Sequence, residues 1–131
     1  MAKGELLEER LTHSIIGAFF EVYNELRTGL LEGLYAAALE RELVARGHRV
    51  AREVMVRVYY KGADIGTQRL DLVVDEKIVV EIKSTQELHR DSWRQLLTYL
   101  KCTNLEVGLL LHFGSEARFH RIVCRNDRAS A

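Results

Sequence analysis

The sequence has no proline and only two cysteines. Nothing functional follows from the missing proline. Cys102 and Cys124 stand alone without CxxC spacing, which argues against both a disulfide framework and a zinc knuckle. Charge of one sign is also lacking: 19 Lys and Arg against 19 Asp and Glu leave a formal net charge of zero. Bulk electrostatics therefore does not hold this chain on nucleic acid, although a local patch can still serve. No apolar run approaches the roughly 20 residues of a membrane helix, and Met1 to Arg10 is too acidic for a signal peptide. A cytoplasmic protein with no membrane partner is the expectation.

What is present fits one domain. The 131 residues are 47% hydrophobic and 29% charged, enough for a single core spanning about residues 11–124, with a frayed tail from Arg125 onward. Leu7, Leu11, Ile15, Ala18, Phe19 and Val22 recur at helical spacing from Glu5 to about Leu26, and Arg27-Thr28-Gly29 breaks the pattern. A second helix is expected from about Leu30 to Arg46, with Leu31, Leu34, Tyr35, Ala38 and Leu39 as its buried stripe and Gly47 as its stop. Val54, Val56, Val58 and Tyr60 alternate as a strand, Lys61-Gly62 turns the chain, and Ile65 to Val74 returns with an irregularity at Gly66. Lys77 to Ser84 forms the next strand after a turn at Asp75-Glu76. Leu88 to Lys101 is helical, with Trp93, Leu96, Leu97 and Leu100 on one face and Trp93 as its core anchor. Leu105 to Phe113 and Ala117 to Cys124 close the order ααβββαββ.

Chemistry concentrates where the middle strands meet. Asp71 lies in the run Leu70-Asp71-Leu72-Val73-Val74, and Glu81-Ile82-Lys83 follows ten residues later. Strand alternation puts Glu81 and Lys83 on one face and Ile78, Val80 and Ile82 on the other. Burying two carboxylates and an ammonium together is costly. Taken alone, the three residues fit either a structural ion-pair cluster or a site for a divalent metal and an activated water.

Further motifs carry a resemblance. Gly29-Leu30-Leu31-Glu32-Gly33-Leu34-Tyr35 fits G-x-x-E-x-x-Y, and Gln95-Leu96-Leu97-Thr98-Tyr99 fits Q-x-x-x-Y. Together with Asp71 and Glu81-x-Lys83, and with Thr12 to Gly17 on the first helix, they resemble the PD-(D/E)XK nuclease superfamily. Within it they resemble the small GxxExxY proteins and the RecB-like branch. The resemblance spans roughly Leu11 to Val123. It implies a three-layer α/β/α restriction-endonuclease-like fold with a mixed central sheet, and metal-dependent hydrolysis of nucleic-acid phosphodiesters, DNA more than RNA.

The resemblance also implies roles. Asp71, Glu81, the backbone carbonyl of Ile82 and Glu32 would ligate Mg²⁺ or Mn²⁺, and Lys83 would orient the attacking water or stabilise charge on the phosphate. Gln95 and Tyr99, one helical turn apart, would position Lys83 or the nucleic-acid backbone. Leu70 stands where the superfamily's name has proline, a position that supplies only backbone. Two basic rows are candidates for phosphate contact: Arg90, Arg94 and Lys101 on the third helix, and Arg118, His120, Arg121, Arg125 and Arg128 near the C-terminus, the latter with Asp127 among them. Either row also fits a solvated face. Glu32 alone also fits a helix-start carboxylate, Tyr35 a core residue and His13 a hydrogen-bonded helix histidine. With no recognition domain in view, specificity is expected from a homodimer, a partner protein or the structure of the substrate. Two other readings stay open: a non-catalytic protein- or nucleic-acid-binding module on the same fold, and a metal-dependent enzyme with another substrate.

Overall fold

The computed structural model describes residues 8–125. The helix start at Glu5, the tail beyond Arg125 and the charges Asp127 and Arg128 lie outside the described residues. Three helices and five strands follow in the expected order: α1 (Glu9–Leu26), α2 (Glu32–Ala45), β1 (Val50–Tyr60), β2 (Ala63–Val74), β3 (Ile78–Lys83), α3 (Asp91–Lys101), β4 (Val107–Phe113) and β5 (Ala117–Val123). The strands form one sheet in chain order. Every pairing is antiparallel except β3 with β4, which α3 joins as a parallel crossover.

Alternation along the strands sorts side chains into two cores. Leu72, Val74, Ile78, Val80, Ile82, Val107, Leu109, Leu111 and Phe113 pack against α1 and α2, with Phe19, Tyr35 and Leu39 among their partners. Val79, Leu110 and Ile122 pack against Leu96, Tyr99 and Leu100 of α3. Each fully buried aliphatic or aromatic side chain contributes on the order of 1.5–3 kcal/mol from removed apolar surface. The result is the α/β/α sandwich, a restriction-endonuclease-like fold. Among the described residues no helix is long and apolar enough to cross a membrane.

Two helix faces differ from the expectation. Leu31 and Leu34 of the anticipated α2 stripe are exposed, and the buried residues are Tyr35, Ala36, Leu39 and Leu43. Leu31 is the extended N-cap before the helix, and Leu34 falls off the face shared by Tyr35, Leu39 and Leu43. Trp93 does not anchor α3 in the core; it remains 44% exposed, while Leu96, Tyr99 and Leu100 are buried. That helix starts at Asp91, three residues later than its apolar periodicity indicated.

The turns hold as read. Opposite Gly66 the β1–β2 register slips between Val58 and Tyr59, a bulge that explains the irregular run. Asp75 and Glu76 both take left-handed φ values, 53° and 57°, in the short turn that carries the chain from Val74 to its partner Ile78. A chain of hydrogen bonds pins that turn: Ser14 Oγ lies 2.7 Å from His48 Nε2, and His48 Nδ1 lies 2.8 Å from Asp75 Oδ2. The order Ser–His–Asp invites comparison with a hydrolase triad. Ser14, however, sits inside α1, where backbone N–H groups are spent within the helix and none is left as an oxyanion donor. The chain is a clasp between α1, the α2–β1 connection and the β2–β3 turn.

Candidate active site

The β2–β3 ladder pairs Val74 with Ile78, Val73 with Val79 and Leu72 with Val80, then stops. The next opposed pair is Asp71 and Glu81. Like charges placed directly across a ladder are unfavourable, and here the strands part. Their freed backbone groups turn to the carboxylates: Ile82 N–H donates to Asp71 Oδ2 at 2.9 Å, and Asp71 N–H donates to Glu81 Oε2 at 3.3 Å. On the other flank, β1 pairs Arg52 with Leu72 and Val54 with Leu70 but leaves Glu53, at φ 53°, unpaired with Asp71. Leu70 and Leu72 accordingly pack into opposite cores. Asp71 stands at a break in both of its ladders.

Glu81 is only 4% exposed. Burial, followed by the neighbouring Asp71 charge, pushes its carboxyl up to about 9, and the Lys83 ammonium acts in the opposite direction. Lys83 is half-buried on the same strand face, and its Nζ donates to Gln95 Oε1 of α3 at 3.1 Å. Arg69 was not anticipated. Its guanidinium bridges Asp71 Oδ1 at 3.7 Å and Glu53 Oε2 at 3.3 Å. Strand alternation was the available signal, because Arg69 precedes Asp71 by two residues.

The G-x-x-E-x-x-Y segment has a structural logic of its own. Gly29 takes φ +109°, which a side chain rarely adopts, and turns the chain into α2. Tyr35, buried and stacked on Phe113 at 3.9 Å, donates its hydroxyl hydrogen to Arg27 O and accepts from Leu30 N–H. Glu32 Oε2 then accepts Ser84 N–H at 3.1 Å, while Ser84 Oγ donates to Leu30 O. The segment thus straps the end of β3, immediately beyond Lys83. Glu32 also lines a small cavity of about 50 Å³ with Asp71, Arg69, Glu53 and Arg52. Ser84 was the second unanticipated participant.

Other expected residues disperse. Tyr99 is buried, and its hydroxyl accepts from Gln68 Nε2 of β2 at 2.9 Å rather than meeting Lys83. Burial, then the Glu81 charge, raises its phenol above the ordinary range. Arg90, Arg94 and Lys101 are exposed on or beside α3. Arg118 is ion-paired with Glu116 at 3.3 Å. Arg118 and Arg121 fall on opposite sheet faces, because their register partners are His112 and Leu109. Arg125 is exposed beyond β5, and His13 is exposed on α1.

Among the described residues no three His, Cys, Asp or Glu side chains converge to hold a metal. The donor set that fits a divalent cation is the adjacent pair Asp71 and Glu81. These are hard oxygen donors, and burial with the neighbouring Asp71 charge raises the pKa of the Glu81 carboxyl. Mg²⁺ suits such a pair because it retains several waters and needs few protein ligands.

The family model of the PD-(D/E)XK nuclease superfamily matches residues 9–123. No curated protein matches. Among solved structures, the crystal structure of SSO0001 superposes with a TM-score of 0.58 at 22% identity, covering 74% of this chain and 52% of that one. An alkaline exonuclease (LHK-Exo) from Laribacter hongkongensis gives a TM-score of 0.47 at 15% identity, covering 69% of this chain and 54% of that one. The chain thus spans about half the length of these two structures. With the family model covering nearly all of it, the chain belongs to the PD-(D/E)XK nuclease superfamily.

Proposed function

We propose that this protein is a metal-dependent nuclease that hydrolyses phosphodiester bonds, with DNA as the favoured substrate and the cytoplasm as its location. The observation that carries the reading is the convergence of the Asp71–Glu81 pair and Lys83 at one strand end, with Lys83 held by Gln95. Asp71, Glu81 and the Ile82 carbonyl would hold Mg²⁺ or Mn²⁺, with Glu32 completing the set on release from Ser84. A divalent cation there supplies Lewis acidity and lowers the pKa of water. Lys83 orients the attacking water and stabilises the charge that develops on the phosphate. Gln95 fixes the Lys83 ammonium, and Tyr99 with Gln68 braces the helix that carries Gln95. Narrower placement among the GxxExxY proteins of the RecB-like branch belongs to this proposal. So does a homodimer or partner protein as the source of specificity.

The commitment of Glu32 to a backbone N–H favours a second reading, a non-catalytic module that keeps the fold. One experiment separates them: degradation of labelled single- and double-stranded DNA and RNA with Mg²⁺ or Mn²⁺, with the Asp71→Ala protein and a chelator alongside. Cleavage that is lost in both controls supports the nuclease and identifies its substrate. Folded protein that cleaves none of the four and binds no metal by calorimetry overturns it.

A further inference from the structure

A cleft of about 420 Å³ opens between the β3–α3 connection and the β4–β5 hairpin. It lies at the C-terminal ends of the parallel pair β3 and β4, where ligands of α/β sheets commonly sit. Its wall begins one strand from the catalytic lysine, since His112 is the register partner of Lys83. Neighbouring strands are roughly 4.8 Å apart.

The wall is built rather than incidental. His112 is 4% exposed, with Nε2 at 2.7 Å from Thr85 O and Nδ1 without a hydrogen-bond partner. A buried polar atom in that state is uncommon. A Cβ at position 114 would come within 2.7 Å of the His112 ring, so glycine there admits the imidazole. Opposite stands Trp93, the one tryptophan of the chain, exposed at the cleft with its ring 4.6 Å from His120. Burial, aided by His112 and Arg118, lowers the His120 pKa, which favours a neutral, flat partner for the indole.

The lining decides what fits. Glu87 and Glu116 contribute carboxylates, and Glu116 already engages Arg118, so the interior repels a phosphate. Two aromatic rings beside the amide of Gln86 and the hydroxyl of Ser115 suit a flat heterocycle with hydrogen-bonding edges. The volume lies within the usual small-ligand range of about 300–1,000 Å³. Arg90 precedes Trp93 by three residues, on the same helical face, and can meet a backbone phosphate outside the cleft.

We infer that the cleft receives one unpaired nucleobase of the substrate strand, stacked on Trp93 beside the scissile position. The inference rests on nucleic acid being the substrate. It deepens that reading by specifying a strand that is single-stranded, or frayed, next to the cut. Base–aromatic stacking is worth about 1–3 kcal/mol per base.

The test uses Trp93 emission in chelator, where no cleavage occurs. Titration with a short single-stranded oligothymidylate quenches the emission saturably, and a blunt duplex of equal length does so far less. By anisotropy of the labelled oligonucleotide, Trp93→Ala weakens single-strand binding about tenfold, and Trp93→Phe restores most of it. Oligonucleotide binding that leaves the emission and the Trp93→Ala affinity unchanged overturns the inference, as does equal quenching by duplex or no binding at all. Cleavage by a protein whose Trp93 is indifferent to single strands removes the subsite alone. Quenching without cleavage under any metal removes the nuclease reading and leaves the subsite standing.

Discussion

Asp71 and Glu81 face each other one step beyond the last β2–β3 pair, and each carboxylate accepts a backbone N–H that the parted ladder has left over. The arrangement keeps two acids together at the cost of holding a proton on Glu81.

That cost sets a pH dependence. The folded-state pKa of Glu81, about 9, lies above its ordinary 4.5, so the native state binds the extra proton between these values. The stability that Glu81 contributes is therefore full below about pH 4.5 and is lost as pH rises through about 9. For the metal-free protein, Tm should decline across this window. Glu81→Gln should flatten the decline and add on the order of 3 kcal/mol at pH 7, measured by thermal denaturation in chelator. An unchanged profile in the variant would place the proton elsewhere.

Lys83→Ala should lower kcat by roughly 100-fold or more, as loss of a donor aimed at developing charge does. Calorimetric Mn²⁺ binding should persist, since the carboxylates remain. Gln95→Leu releases Lys83 without removing it and should cost less, about tenfold in kcat. A Gln95 variant as inactive as the Lys83 variant would give the glutamine a direct role instead.

Tyr35→Phe deletes one hydroxyl that serves both Arg27 O and Leu30 N–H. Urea unfolding should show a loss of about 1–2 kcal/mol, and activity should fall because the strap from Glu32 to Ser84 loosens. Stability lost with activity intact would separate the motif's tyrosine from the site.

Asp75 behaves opposite to Glu81. Although burial pushes its carboxyl up, the Arg49 N–H and the His48 ring hold it below its ordinary 3.8. The stability it provides is present above about pH 4 and is lost as pH falls through the depressed value. Asp75→Asn should cost about 1 kcal/mol at pH 7 and flatten the acid limb of the stability curve.

Much of this was written locally. Alternating valines and isoleucines, helical leucine stripes and the Asp75-Glu76 turn determined the element order, because each rests on the fixed periods of helix and strand. The same periodicity placed Glu81 and Lys83 on one face and Ile82 on the other. Asp71, Glu81 and Lys83 stood out by their placement on adjacent strands, and Gly29, Glu32, Tyr35 and Gln95 through the motifs that resemble the superfamily. Only the tertiary structure decided which of them meet. Glu32 reaches Ser84 across 52 residues and Tyr99 turns to Gln68 across 31, contacts that no local spacing encodes. Trp93 read as a core residue because apolar periodicity records hydrophobicity, not where a helix ends its contact with a sheet. Arg69, Gln68 and Ser84 escaped notice for the same reason. Their partners lie on other strands and helices, and polar side chains carry no period until the fold supplies those partners.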